Sequence, residues 1–93
     1  MGERQGTRWA TDPKMFAVVV GESVRRHRQS VGYTQVQLAE AAGLSPNYVA
    51  RLERGELGPS FFVAHLLART LGVGIGELFD APQQTTARRR IAG

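Results

Sequence analysis

Cysteine is absent from the 93-residue sequence, which excludes disulfide staples and thiolate metal ligands, and the two histidines, His27 and His65, are too isolated to form a zinc cluster. Stability must come from apolar packing. Long hydrophobic runs are missing as well. Even "FAVVVG" falls far short of the roughly 18 consecutive apolar residues that a membrane helix needs, and the first residues carry no signal-peptide core, so the chain is expected to stay in the cytosol. No strand-like alternation and no internal repeat is present, so the expected class is all-α. Lysine is scarce too, one against eleven arginines, which base composition explains more simply than phosphate geometry does.

At this length one small domain is expected, able to bury only somewhat more than ~60% of its unfolded surface. The net charge of +4 points toward nucleic acid, but its distribution weakens that inference. Between Asp12 and Asp80 the basic residues Lys14, Arg25, Arg26, Arg28, Arg51, Arg54 and Arg69 balance Asp12, Glu22, Glu40, Glu53, Glu56, Glu77 and Asp80. The surplus lies in the first residues and in the tail "ARRRIAG". Residues 1–11 read as a flexible arm with Trp9 as its one docking residue, 12–80 as the folded domain, and 81–93 as a disordered basic tail.

Within 12–80 the punctuation predicts five helices. Asp12 and Pro13 start the first, with Phe16, Val19, Val20, Val24 and Val31 inward and its end at Gly32. Thr34 with Gln37 forms a capping box for the second, whose inner face is Leu38, Ala39 and Ala42 and whose stop is Gly43. Ser45 and Pro46 open the third, with Val49 and Leu52 inward and Gly55 at its end. Ser60 caps the fourth, striped by Phe61, Ala64, Leu67, Ala68 and Leu71. "GVGIGELFD" leads into a short fifth helix carrying Leu78 and Phe79, its start weakened by Gly74 and Gly76.

Two short helices joined by a tight glycine turn describe a helix-turn-helix, in which small Ala39 and Ala42 permit a close crossing and Leu44 fills the space beneath. With Val49 and Leu52 turned inward, Asn47 and Arg51, four positions apart, fall on the outer face, and Ser45 and Pro46 sit at its leading end.

From Val20 to Asp80 the chain resembles the Cro/CI-type helix-turn-helix family, the XRE-like or lambda-repressor-like transcriptional regulators. The likeness rests on "RRHRQSVGYTQVQLAEAAGLSPNYVARLERG", then Pro59 and Ser60, then "LLARTLGVGIGELF". It implies a five-helix lambda-repressor-like domain that binds double-stranded DNA. Gln35 then matches a glutamine that donates to a DNA phosphate. Ser45, Pro46, Asn47 and Arg51 match base-facing positions, with Tyr48 and Arg54 nearer the backbone. Asn47 would suit adenine N6/N7 and Arg51 guanine O6/N7, while Pro46 has no donor and offers only apolar contact. Arg28 and Glu53 match an internal ion pair tying the first helix to the third, which would remove Arg28 from the DNA-binding set.

One departure concerns the fourth helix. Phe62, Val63 and Leu66 lie largely off its inner stripe, and surplus apolar surface suggests a partner face, either a homodimer interface that also includes Ile75 or a bed for the arm with Trp9. No catalytic constellation, cofactor motif or metal site is expected, so an enzyme is not expected either. The expected function is a transcriptional regulator acting as a homodimer on a palindromic operator, with a restriction-modification controller as one candidate. The alternative is an antitoxin or partner-protein-binding module with secondary DNA binding.

Overall fold

The structure, a computed structural model, describes residues 11–80. Four α-helices, α1 (Pro13–Ser30), α2 (Gln35–Ala42), α3 (Pro46–Glu53) and α4 (Phe61–Leu71), are followed by a 3₁₀ helix (Ile75–Phe79), and no strand occurs among the described residues. Trp9 and Arg88 to Arg90, with the arm and tail expected around them, lie outside this range.

Each α-helix starts on a side-chain oxygen. Asp12 Oδ1 accepts from the Lys14 N–H at 2.9 Å, and Ser45 and Ser60 Oγ accept from the amides of Tyr48 and Val63 at 3.0 and 3.1 Å. Thr34 and Gln37 bond reciprocally, at 3.0 Å to the Gln37 amide and 2.8 Å from the Thr34 amide. Caps of this kind contribute about 0.5 to 2 kcal/mol each. All four helices also end alike, on a glycine with φ between 76° and 82°. That left-handed residue turns the chain so that its own amide and the next one reach back to carbonyls of the last turn.

The core draws Val20 and Val24 from α1, Leu38, Ala39 and Ala42 from α2, Val49 and Leu52 from α3, and Ala64, Leu67, Ala68 and Leu71 from α4, with Leu78 of the 3₁₀ helix closing it. α2 and α3 pack on one another, and α1 crosses behind α3 and the 3₁₀ helix. The crossing of α1 over α3 is close because of Gly21. A Cβ there would stand 2.3 Å from the Leu52 carbonyl oxygen, inside any tolerable contact. Buried Ser23 adds a polar tie, its Oγ donating to the Glu77 carbonyl at 3.0 Å. Phe16 and Phe79 pack ring to ring with centroids 5.6 Å apart.

Three expectations need correction. The fifth helix is a single 3₁₀ segment, closed by the Glu77 amide on the Gly74 carbonyl at 2.9 Å; with glycine at 74 and 76, too few good helix formers remain for an α-turn to propagate. Val31 is not an inner residue: it caps the C-terminus of α1 and is half exposed, because α1 outruns the core. Phe61 does not join the inner stripe of α4 but is 75% exposed. The spacing of Ala64, Leu67, Ala68 and Leu71 extends back to position 61, yet the first turn overhangs the core and leaves that ring uncovered.

Candidate nucleic-acid interface

α3 is amphipathic in a way its eight residues make plain. Val49 and Leu52 are fully buried, whereas Pro46, Asn47 and Arg51 are exposed and Tyr48 is half-buried. Burying each of the two aliphatic side chains contributes about 1.5 to 3 kcal/mol, which fixes the rotation of the helix about its axis. The outer row follows from that rotation: Asn47 and Arg51 stand one turn apart on the side facing away from the core. At its leading end the Ser45 oxygen accepts from the Tyr48 amide, leaving its own O–H as a donor. The Tyr48 ring packs against the core, and this partial burial pushes its phenol above the ordinary tyrosine value.

The N-terminus of α2 carries Gln35, and first-turn amides of a helix have no acceptor within it. Gln35 itself is anchored: its Nε2 donates to Glu53 Oε1 at 2.9 Å. Glu53 in turn receives Arg28 by a two-pronged contact, Nε to Oε2 at 2.6 Å and a terminal nitrogen to Oε1 at 3.0 Å. The third edge of the Arg28 guanidinium donates to the Tyr33 carbonyl at 2.8 Å. The Arg28 and Glu53 side chains are 11% and 3% exposed. Arg28 therefore belongs to the interior, and the network links α1, the turn before α2, α2 itself and α3. One N–H of the Gln35 amide is committed to Glu53, and the other remains as a donor at the N-terminus of α2.

At the far end of α3, Arg51 and Arg54 both meet Glu56, a residue that helical spacing alone does not single out. Arg54 Nε donates to Oε2 at 2.6 Å and Arg51 Nε to Oε1 at 3.2 Å. The hydrogen bonds from Arg54 and then Arg51 hold the Glu56 carboxyl below the ordinary carboxylate range, and the bond to Glu56 raises Arg54 above the ordinary arginine value. The signal for this contact was a carboxylate placed two residues after one arginine and five after the other, across a glycine helix stop.

The four residues expected at a partner face divide. Phe62 is 65% exposed beside Phe61, and its ring lies 6.5 Å from that of exposed His65. Val63 and Ile75 instead pack partly against the core, and Leu66 is half-buried. Among the described residues no group of three or more metal-ligating side chains gathers, and no helix is long and apolar enough to cross a membrane.

This geometry has close counterparts among known proteins. An uncharacterised helix-turn-helix transcriptional regulator of Methanothermobacter thermautotrophicus is 43% identical over 49 residues, 53% of this chain and 71% of that protein. The regulator SlrR of Bacillus subtilis is 36% identical over 76 residues, 81% of this chain, which spans about half of the length of SlrR (49%). Among solved structures, the restriction-modification controller C.AhdI of Aeromonas hydrophila superposes with a TM-score of 0.70 at 34% identity, covering 73% of this chain and 99% of that one. A helix-turn-helix family model matches residues 24–78, the span from the second half of α1 into the 3₁₀ helix. With the capped α2–α3 unit and its outward row of polar side chains, the match places this chain in the Cro/CI-type, XRE-like helix-turn-helix family of DNA-binding transcriptional regulators.

Proposed function

We propose that the chain binds double-stranded DNA sequence-specifically, as a homodimer on a two-fold symmetric operator. The observation that carries this reading is the outer row of α3: Pro46, Asn47 and Arg51 stand exposed on a helix whose rotation is locked by buried Val49 and Leu52. In the major groove Asn47 can pair with adenine N6/N7 and Arg51 with guanine O6/N7, each contact giving about 1 to 3 kcal/mol of discrimination. Gln35 and the N-terminus of α2 meet a phosphate, with Tyr48 and Arg54 nearer the backbone and Ser45 at the leading end of the base-facing row. The held orientation of Gln35 on Glu53 suits it to set the docking register.

The exposed Phe61 and Phe62 rings favour the dimer, centred on Phe62 and including the remaining surface of Val63, Leu66 and Ile75. Two copies of α3 would then enter successive major grooves about 34 Å apart. The likeness to C.AhdI over almost its whole length supports a controller-type regulator. The same rings also suit a foreign protein, and the partner-binding reading gains if the purified chain stays monomeric.

Selection of bound duplexes from a random pool tests the proposal. Enrichment of a palindrome with half-site centres about 10 base pairs apart is the expected result; a pool that stays random after several rounds overturns it.

A further inference from the structure

Glu56 is placed by the backbone. With Gly55 at φ 78°, its amide returns to the Leu52 carbonyl at 3.0 Å and the Glu56 amide to the Arg51 carbonyl at 3.1 Å. This helix ending sets the Glu56 side chain beside the last turn of α3, where Oε1 and Oε2 take Arg51 and Arg54 separately. Both guanidinium groups are gripped at Nε. Their terminal nitrogens, which can form the fork toward guanine O6 and N7, make no hydrogen bond to another described residue.

We infer that Glu56 is a specificity-determining residue of the DNA-binding face, presenting Arg51 in a fixed orientation and withholding Arg51 and Arg54 from indiscriminate phosphate binding. The inference rests on the reading of α3 proposed above. Its physics is a competition. Sequence-independent affinity comes from cations that neutralise phosphates, and here two cations share one anion, so the local charge is that of a single cation. A phosphate must displace or tolerate the carboxylate. A guanine edge need not, because it engages nitrogens that Glu56 leaves open, and an arginine already oriented loses less conformational freedom on binding. The contact is exposed, with Arg51, Arg54 and Glu56 side chains 47%, 57% and 44% accessible, so removing it leaves the fold in place.

The test compares the whole chain with its Glu56→Gln and Glu56→Asp variants, by fluorescence anisotropy on the selected operator and on a random duplex across a salt series. Glu56→Gln is expected to bind the random duplex about three- to tenfold tighter at low salt, with a log–log salt slope steeper by up to about 0.9. The operator-to-random ratio falls about threefold or more, and Glu56→Asp, which keeps the carboxylate, retains most of the native ratio. In the free protein the Nε–H resonances of Arg51 and Arg54 lose their protection from solvent exchange in Glu56→Gln, a readout that needs no DNA. Unchanged random-duplex affinity and slope overturn the inference, as does an equal loss on both duplexes. A native chain that binds no DNA removes the reading beneath it, and is told apart from those outcomes by the native titration alone.

Discussion

At the C-terminal end of α3 two arginine–carboxylate contacts share an Nε–O distance of 2.6 Å: Arg28 with Glu53, and Arg54 with Glu56. Nothing in that distance separates them. Burial does. The Arg28–Glu53 pair is enclosed and tied further into the fold, Glu53 accepting from Gln35 and Arg28 donating to the Tyr33 carbonyl, whereas Glu56 and its arginines stand in solvent. Inside, breaking one partner strands a charge in a poor dielectric; outside, water replaces the lost partner at little cost. At the same C-terminal end of α3, the pair on the buried side holds the helix in place, while the pair on the solvent side sets how cations meet a ligand.

The largest expected effect is therefore at the buried pair. Arg28→Ala should lower unfolding free energy by about 3 to 5 kcal/mol in urea denaturation, through the uncompensated Glu53 carboxylate; a loss comparable to that of an exposed pair would erase the contrast. Gly21→Ala comes next. Its added methyl meets the Leu52 carbonyl, so a destabilisation of about 1 to 3 kcal/mol is expected. Gly55→Ala forces a Cβ onto a left-handed residue and to within 2.9 Å of Val18 Cγ2. A cost of about 1 to 3 kcal/mol is expected, with weakened discrimination between operator and random DNA because Glu56 is displaced. The smallest stability effect is that of Glu56→Gln, whose thermal midpoint at neutral pH should match the native one. The native Glu56 carboxyl titrates below its unfolded value, so what the contact adds is present above the ordinary carboxylate range and disappears as pH falls through the depressed value. Any small midpoint difference should thus vanish on acidification.

Helix boundaries were legible because they depend on local chemistry. Ser, Thr and Asp before a helix, and glycine after it, act within a few residues of themselves. The same holds for the core of α2 and α3, where Leu38, Ala39, Val49 and Leu52 follow from spacing alone. Misreadings arose where spacing continued past the core. Phe61 and Val31 obey the periodicity of their helices, but periodicity does not say where the neighbouring helices stop. Gly21 has no side chain to add to a hydrophobic stripe, although it is the residue that lets α1 and α3 approach. The five residues from Ile75 to Phe79 are too few for a pattern to separate a 3₁₀ from an α turn. On the candidate face, the outward placement of Asn47 and Arg51 follows from the inward placement of Val49 and Leu52. The role of Gln35 as a partner of Glu53 does not, since it depends on how α2 sits against the end of α3. Glu56 was invisible for a related reason: its contact crosses a chain reversal, where helical spacing no longer applies.

The claim that α3 reads base edges is tested most directly by Arg51→Ala, titrated against the selected operator and against each single-base variant of it. Loss of preference at one base pair per half-site, by about 1 to 3 kcal/mol and with preferences elsewhere retained, is the expected result. Equal weakening on every duplex would make Arg51 a phosphate contact, and unchanged binding on all of them would contradict direct readout by this helix.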